Sequence, residues 1–365
     1  MIATAEIRLV KHREKIDELV DLFSVTFGLN MPAEFWDWKY IQNPLAPSNP
    51  EVIVALDKGR IVAAWPFMPL EIWLGKQKAR AALGSDIMVH PEHQRKGINT
   101  RMYLFGLDYL KDNGYALYYG IANEKSLGVG LKQSTRTLTQ TESIFRLINP
   151  QKLLSHSLGN RVLGTGLGLL YDKLLNIKPR ESFQPSTTFQ LEVFDQFDEE
   201  LKEIATLRDE SLIDLVRSES YLRWRFDRRP NRDYRYIVAK KDGMLWGYAV
   251  VSAEEQSNGL VNGYIVDHLV RDRDMSCFRA LINMSLDELE KWGCDIASIW
   301  AFGEPLLRKE LLKYPGFKSS LMFPYSRFSS HGYLTVRETS EQVAVGLDIH
   351  DEKNWRVTYA YSDTI

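Results

Sequence analysis

The chain has little cysteine, no long apolar run and almost no net charge, and each shortage removes a class of protein. Of 365 residues only Cys277 and Cys294 are cysteines. Two thiols on expected core elements make no secreted disulfide framework; they read as reduced, buried groups in a cytoplasmic protein. The uncharged, mainly apolar run from Val162 to Tyr171 is half the ~20 residues that a bilayer-crossing helix needs. Its Gly164-x-Gly166-x-Gly168 spacing is not a dinucleotide fingerprint, because no strand precedes it. The run is expected to pack as a helix between domains rather than to touch a membrane. A net charge of −2 gives no general basic field for nucleic acid, so any affinity for anions must be local. The segment Met1 to Arg8 lacks a charged stretch followed by an apolar one and reads as no secretion signal. No nucleophile elbow and no Gly-Lys-Ser/Thr phosphate loop occurs. His90 and His93 have no third ligand in pattern around them, so no metal is expected.

At this length two domains are expected. A composition 44% hydrophobic and 26% charged suits globular domains with full cores. The most informative segment runs from Asp86-Ile87-Met88-Val89 through His90-Pro91 to Gln94-Arg95-Lys96-Gly97. An apolar strand enters a Pro turn, and a basic loop ending in Gly opens a helix with apolar residues at Ile98, Met102, Phe105 and Tyr109. Such a junction makes an anion site. First-turn amides are free, the helix dipole adds about half a positive charge, and Gly lets the anion reach the backbone.

The chain also repeats itself. Trp38-Lys39-Tyr40-x-x-x-Pro44 recurs as Trp224-Arg225-Phe226-x-x-x-Pro230, 186 residues later. Val52-Ile53-Val54-Ala55 returns as Tyr236-Ile237-Val238-Ala239 at an offset of 184, and Asp86–Val89 as Asp267–Val270 at 181. Asn113-Gly114 before one strand is answered by Trp292-Gly293 before another. Four matches in unbroken order predict two copies of one fold. Each copy reads as strand, helix, short aromatic helix, hairpin, longer strand, helix and strand. The fold class expected is α/β (α+β), with a mixed, largely antiparallel sheet and helices on both faces in each copy. The division expected is 1–147 for the first domain, 148–186 for a connecting helix and 187–330 for the second domain. Residues 331–365 are expected to add strands to one of the domains.

The loop Gln94-x-x-Gly97-x-Asn99, after Val89-His90-Pro91, resembles the acyl-CoA loop of the GNAT acyltransferases, Gln/Arg-x-x-Gly-x-Gly/Ala. Asn99 departs from that pattern, where the family places Gly or Ala. With the repeat, most of the chain resembles a tandem GNAT arrangement. The resemblance implies acetyl-CoA, or another acyl-CoA, as co-substrate. The pyrophosphate would be held by Gln94, Arg95, Lys96, Gly97, Ile98, Asn99 and Thr100. Ile87 and Val89 would offer main-chain partners to pantetheine, and an amide near Met88 would polarise the thioester carbonyl. Asn123 and Ser126 match the family's Asn-x-x-Ser start to the next helix; Asn123 equally suits a plain helix cap. In the second copy Arg271-Asp272-Arg273-Asp274 has no Gly and two carboxylates, so the cofactor site is expected to be lost there, with one aspartate capping a helix.

The resemblance further implies direct attack by an amine in a ternary complex, which needs a base and an acid. Asp86, Glu124 and the histidines are the candidate bases; Asp86 lies beside the thioester, although Asp267 holds the same place in the copy expected to lack a site and so points to a structural role. Tyr118 and Tyr119 are candidate acids, and strand alternation lets only one of them face the cleft. Trp36 and Trp38 are candidate walls of an acceptor pocket. The function expected is N-acylation of a small amine or amino-sugar, with neither nucleic acid nor membrane as partner. The alternatives are a CoA-binding or regulatory module without activity, and an aminoacyl transferase of the peptidoglycan-bridge type.

Overall fold

The fold of the first copy follows from two long strands that each break once. The computed structural model describes residues 5–123, 127–128, 135–175, 188–300, 303–314, 316–322, 332–340 and 347–363. Strand β1 (Glu6–Lys11) leads into helix α1 (His12–Phe27), which ends where Gly28 takes φ 69° and its N–H bonds Ser24 O. Helix α2 (Ala33–Trp36) widens into a π turn over Asp37–Ile41. A hairpin of β2 (Glu51–Asp57) and β3 (Arg60–Trp65) turns on Lys58 and Gly59, both at positive φ. Past Pro66 the chain continues as β4 (Phe67–Leu74) and returns as β5 (Gln77–Gly84). After a break at residues 85–87 comes β6 (Met88–Val89), then helix α3 (Ile98–Asp112) and β7 (Leu117–Ala122).

These breaks split the sheet. One part has the order β1-β2-β3-β6, while β4, β5 and β7 belong to a second, six-stranded sheet. Helix α3 buries Ile98 and Met102 as its period requires, but Phe105 is turned outward. Tyr103, Gly106, Leu107 and Leu110 complete the buried face. The rotation is set by Trp65, whose ring lies where a side chain on Gly106 would be, 1.2 Å from an ideal Cβ.

The remaining elements of the six-stranded sheet come from elsewhere in the chain. After β8 (Arg136–Gln140) and β9 (Ser143–Leu147), a helical hairpin is formed by α4 (Pro150–Leu158) and α5 (Arg161–Leu175). The second copy then holds β10 (Gln190–Phe194), β11 (Ile213–Leu215) and α6 (Glu219–Leu222), which widens over Arg223–Asp227 as α2 does. It continues with β12 (Tyr234–Lys241), β13 (Met244–Glu255), β14 (Val261–Val270), α7 (Met275–Lys291), β15 (Ile296–Trp300), α8 (Pro305–Lys313) and β16 (Phe317–Ser319), and β17 (Tyr333–Glu338) follows. The periodic segment at Leu201, Ile204 and Leu207 is 3-10 turns over Glu199–Thr206, not a full helix.

The sheets exchange strands. The second-copy sheet runs β10-β12-β13-β14-β15-β9-β16, and the six-stranded sheet runs β11-β4-β5-β7-β17-β8. Thus β9, expected inside the first domain, pairs antiparallel with β15 and β16 in the second. In return β17 pairs with β7 and β8 in the first. A boundary at 147 therefore does not follow sheet membership. The tail's second alternating stretch, Trp355–Tyr359, forms no strand, only isolated bridges at Trp355, to Ile213, and at Val357. It crosses between the halves as buried coil, with Trp355, Val357, Tyr359 and Tyr361 in the core shared by both copies. Cys277 and Cys294 are buried free thiols; burial pushes them up to about 12 and about 11.

Candidate functional site

Strands β5 and β7 lie parallel, in register from Ala81 opposite Leu117 to Gly84 opposite Gly120. Gly84 is required there, because the Tyr118 hydroxyl lies 2.0 Å from where its Cβ would stand. Beyond this point the strands part. Asp86 takes φ 49°, a left-handed conformation that turns the chain aside, and Met88 and Val89 pair with Ala64 and Ala63 of β3. On the other side β7 runs on through Ile121 and Ala122, paired with β17. A wedge therefore opens between Ile87–Val89 and Ile121–Asn123, with main-chain edges facing it.

The basic loop stands at the mouth of this wedge. Pro91–His93 forms one 3-10 turn, and the Gln94 amide donates to Val89 O at 3.1 Å. Arg95 takes φ 60° and Gly97 φ 75°, so the chain turns sharply into α3. Buried Ile98 anchors the helix start, while Gln94, Arg95, Lys96 and Gly97 are exposed. No side chain caps the helix, and no acid lies in its first turn. Nothing stands within 4 Å of a Cβ position on Gly97. First-turn amides of a helix have no intrahelical acceptor, so those of Ile98, Asn99 and Thr100 are open to an anion beside Arg95 and Lys96.

The second copy closes the same junction with its own carboxylate. Asp274 caps α7, accepting from Ser276 N at 2.8 Å and Cys277 N at 3.2 Å. The Trp246 indole holds its other oxygen at 3.0 Å. Arg273 is paired with Asp209. Of the two aspartates offered by the sequence, the cap is Asp274; Asp272 sits in the turn at φ 52°.

Asp86 lies at the root of the wedge in an ion cluster. Its Oδ2 accepts from the Lys39 ammonium at 2.5 Å and the Tyr40 hydroxyl at 2.6 Å, and Oδ1 has no partner among the described residues. Lys39 also binds Asp363 at 2.7 Å, and Asp363 accepts from Ser85. Burial alone would lower the Lys39 ammonium, but the charges of Asp363 and Asp86 raise it. Burial would raise Asp363, yet Lys39 holds it down at about 2. Burial, then Asp86, pushes Tyr40 well above a normal phenol. In the second copy Asp267 is fully buried and bound instead by Arg217 at 2.8 and 2.9 Å, by Thr358 at 2.8 Å and by Tyr248. The tail thus secures both aspartates, one directly and one through Lys39.

The two tyrosines part as strand alternation requires. Tyr119 is buried in the shared core and donates to Tyr361 O at 3.3 Å, away from the wedge, so it is not placed as an acid. Tyr118 packs on Trp65 and Tyr103, with its hydroxyl at Gly84; burial raises its pKa and keeps the proton on. Asn123 follows β7, its carbonyl accepting from Leu127 N at 2.9 Å; Glu124 and Ser126 lie outside the described residues. Neither Trp36 nor Trp38 lines the two cavities found among the described residues. Both are buried, Trp36 bonding His12 Nδ1 at 3.1 Å and Trp38 packing against the other copy. A cavity of about 140 Å³ does share Tyr40 with the ion cluster, lined also by His12, Phe67, Arg80, Tyr109 and Tyr115.

Residues 6–127, which end just past this wedge, match the family described as an acetyltransferase (GNAT) domain. Over that span the chain is similar to a GNAT acetyltransferase domain. No curated protein matches in sequence, but solved structures share the fold across both copies. A GCN5-related N-acetyltransferase from Anabaena variabilis is 10% identical, with TM-score 0.64 over 93% of this chain and 74% of that one. A probable N-acyltransferase from Enterococcus faecalis is 12% identical, with TM-score 0.61 over 93% and 74%. A tandem GNAT protein from the clavulanic acid biosynthesis pathway is 12% identical, with TM-score 0.51 over 92% of this chain and 99% of that one. The tandem GNAT fold is therefore that of the whole chain. Lys39, Tyr40, Ser85 and Asp363 surround Asp86 at the root of the wedge, and no motif marks them as functional. Lys39 and Tyr40 stood in the repeated Trp-Lys-Tyr, which reads as a fold marker, and Asp363 has no local signal at all.

Proposed function

We propose that the protein transfers an acyl group, with acetyl-CoA as donor, to a small amine or amino-sugar by direct attack in a ternary complex. One observation carries this reading: Gly97 opens α3 uncapped and unobstructed at the mouth of the wedge, while Asp274 fills the same junction in the second copy. Gln94 to Thr100 would hold the pyrophosphate. The edges of Ile87–Val89 and Ile121–Asn123 would take the pantetheine arm, with the Met88 region polarising the thioester. Asp86, its Oδ2 held by Lys39 and Tyr40, has Oδ1 to receive a proton from the attacking ammonium. Tyr118, kept protonated by burial at Gly84, is the donor to the departing thiolate. The acetyl–sulfur bond breaks, the acyl–nitrogen bond forms, and CoA leaves as the thiol.

The test is thiol release from acetyl-CoA against a panel of amines and amino-sugars. Acceptor-dependent release supports the reading. CoA binding without release under any acceptor assigns the chain to the regulatory alternative.

A further inference from the structure

The α4–α5 hairpin takes no part in the acyl-transfer site, and the expectation that it packs between domains is not met. Its root is fastened to the second copy. The amides of Ile148 and Asn149 donate to Asp295 O at 2.9 and 3.0 Å, and the Lys152 ammonium meets the Asp295 carboxylate at 2.7 Å. Beyond the root the two helices press together through glycine. A Cβ on Gly164 would lie 2.2 Å from the Cα of Ser155, and one on Gly168 would lie 2.4 Å from the Cα of Gln151. With backbones this close, no leucine fits in the seam.

The apolar side chains point outward instead. Val162 is 82% exposed, Leu163 60%, Leu169 54% and Leu170 51%, with Leu167 and Leu158 close behind. In water a helical hairpin places its leucines in the seam and its polar groups outside. Small residues in the seam with leucines outside is the arrangement helices adopt in lipid, where burial against a neighbour gains nothing over burial in acyl chains. At ~1.5 Å per residue α5 is about 22 Å long, short of the ~30 Å hydrocarbon layer. No described helix is long and apolar enough to cross a membrane, so the hairpin would lie in the interface. Its charge fits an anionic surface. Residues 150–175 hold Lys152, paired at the root, with Arg161 and Lys173 against the single acid Asp172.

We propose that this hairpin is a membrane-docking element that seats the chain on an anionic phospholipid surface. The proposal is independent of the acyl-transfer reading. It is tested by co-sedimentation of the full chain with vesicles of phosphatidylcholine, with and without phosphatidylglycerol. Binding is expected to the anionic vesicles and to weaken as salt screens the basic residues. The variant L163S/L167S/L170S, with unchanged circular dichroism, should partition at least about tenfold less. A Leu167→Cys protein carrying an environment-sensitive fluorophore should report an apolar setting only with anionic vesicles; the native thiols are buried and unreactive. Recovery of the wild type in the supernatant with every vesicle, or an unshifted fluorophore, would overturn the proposal. So would a lipid-free dimer that the triple variant converts to monomer, which would assign the patch to a second copy.

Discussion

Trp38 and Trp224 bind each other reciprocally across the two copies. Each indole donates to the other's main-chain carbonyl, at 2.9 and 2.8 Å, and the rings stack 5.2 Å apart. Equivalent residues meeting in this way mark a local two-fold relation between the copies. The wide helical turn that follows α2 and α6 repeats at the same spacing and presents each carbonyl to the other's ring.

That pair, with the exchange of β9 and β17, makes the copies one cooperative unit. Trp38→Ala should cost about 3–5 kcal/mol, as for other large buried aromatics, and should lower a single thermal transition rather than melt the first copy alone. Calorimetry showing two separated transitions would contradict this.

At the loop, Gly97→Val should abolish CoA binding. The branched side chain would block the backbone, and φ 75° disfavours it at a cost of about 1–3 kcal/mol. Lys96→Ala should lose only about 1–2 kcal/mol of affinity, one charge-assisted contact. Titration calorimetry on folded variants measures both, and one CoA per chain is the expected stoichiometry because Asp274 occupies the second junction.

The ion cluster separates a chemical role from a structural one. Asp86→Asn should cut turnover at least ~100-fold with little change in acetyl-CoA affinity. Lys39→Met should instead destabilise the fold by about 3–5 kcal/mol, since it strands two carboxylates in a buried site. If Asp86→Asn melts early yet turns over normally, Asp86 is only a ligand for Lys39, and a water relayed through main-chain carbonyls becomes the proton acceptor.

The loop, the repeat and the capped second junction were legible because each rests on local chemistry: Gly97 after two cations, Trp-Lys-Tyr against Trp-Arg-Phe, Asp274 at the start of its helix. The exchanged strands were not, since Ser143–Leu147 and Tyr333–Glu338 alternate in the same way whichever sheet receives them. Asp363 was out of reach for a related reason. It meets Lys39 only after the tail has crossed the shared core, and nothing near residue 363 encodes that path. The hairpin at Gly164 and Gly168 was seen as apolar, but periodicity does not tell a seam from an outer face when both are uncharged.

His12 makes acid stability a last test. It is buried, stacked on Tyr40 at 5.3 Å between ring centres, and its Nδ1 accepts from the Trp36 indole. Burial lowers its pKa to about 3 from 6.5, so the folded state holds the neutral ring. Above the unfolded value neither state binds the proton, and the full stability is present. As pH falls below 6.5 the unfolded chain takes up a proton that the folded chain refuses, and stability drops by up to about 1.4 kcal/mol per pH unit until the folded value near 3. His268, also lowered by burial, adds to the slope at the start of this window. Asp363 adds its own loss lower down, between its ordinary value and about 2. His12→Gln should therefore remove about one proton from the slope of stability against pH between 6 and 4, measured by urea unfolding at each pH. An unchanged slope would mean that His12 is already charged in the fold, at odds with the indole N–H directed at its ring nitrogen.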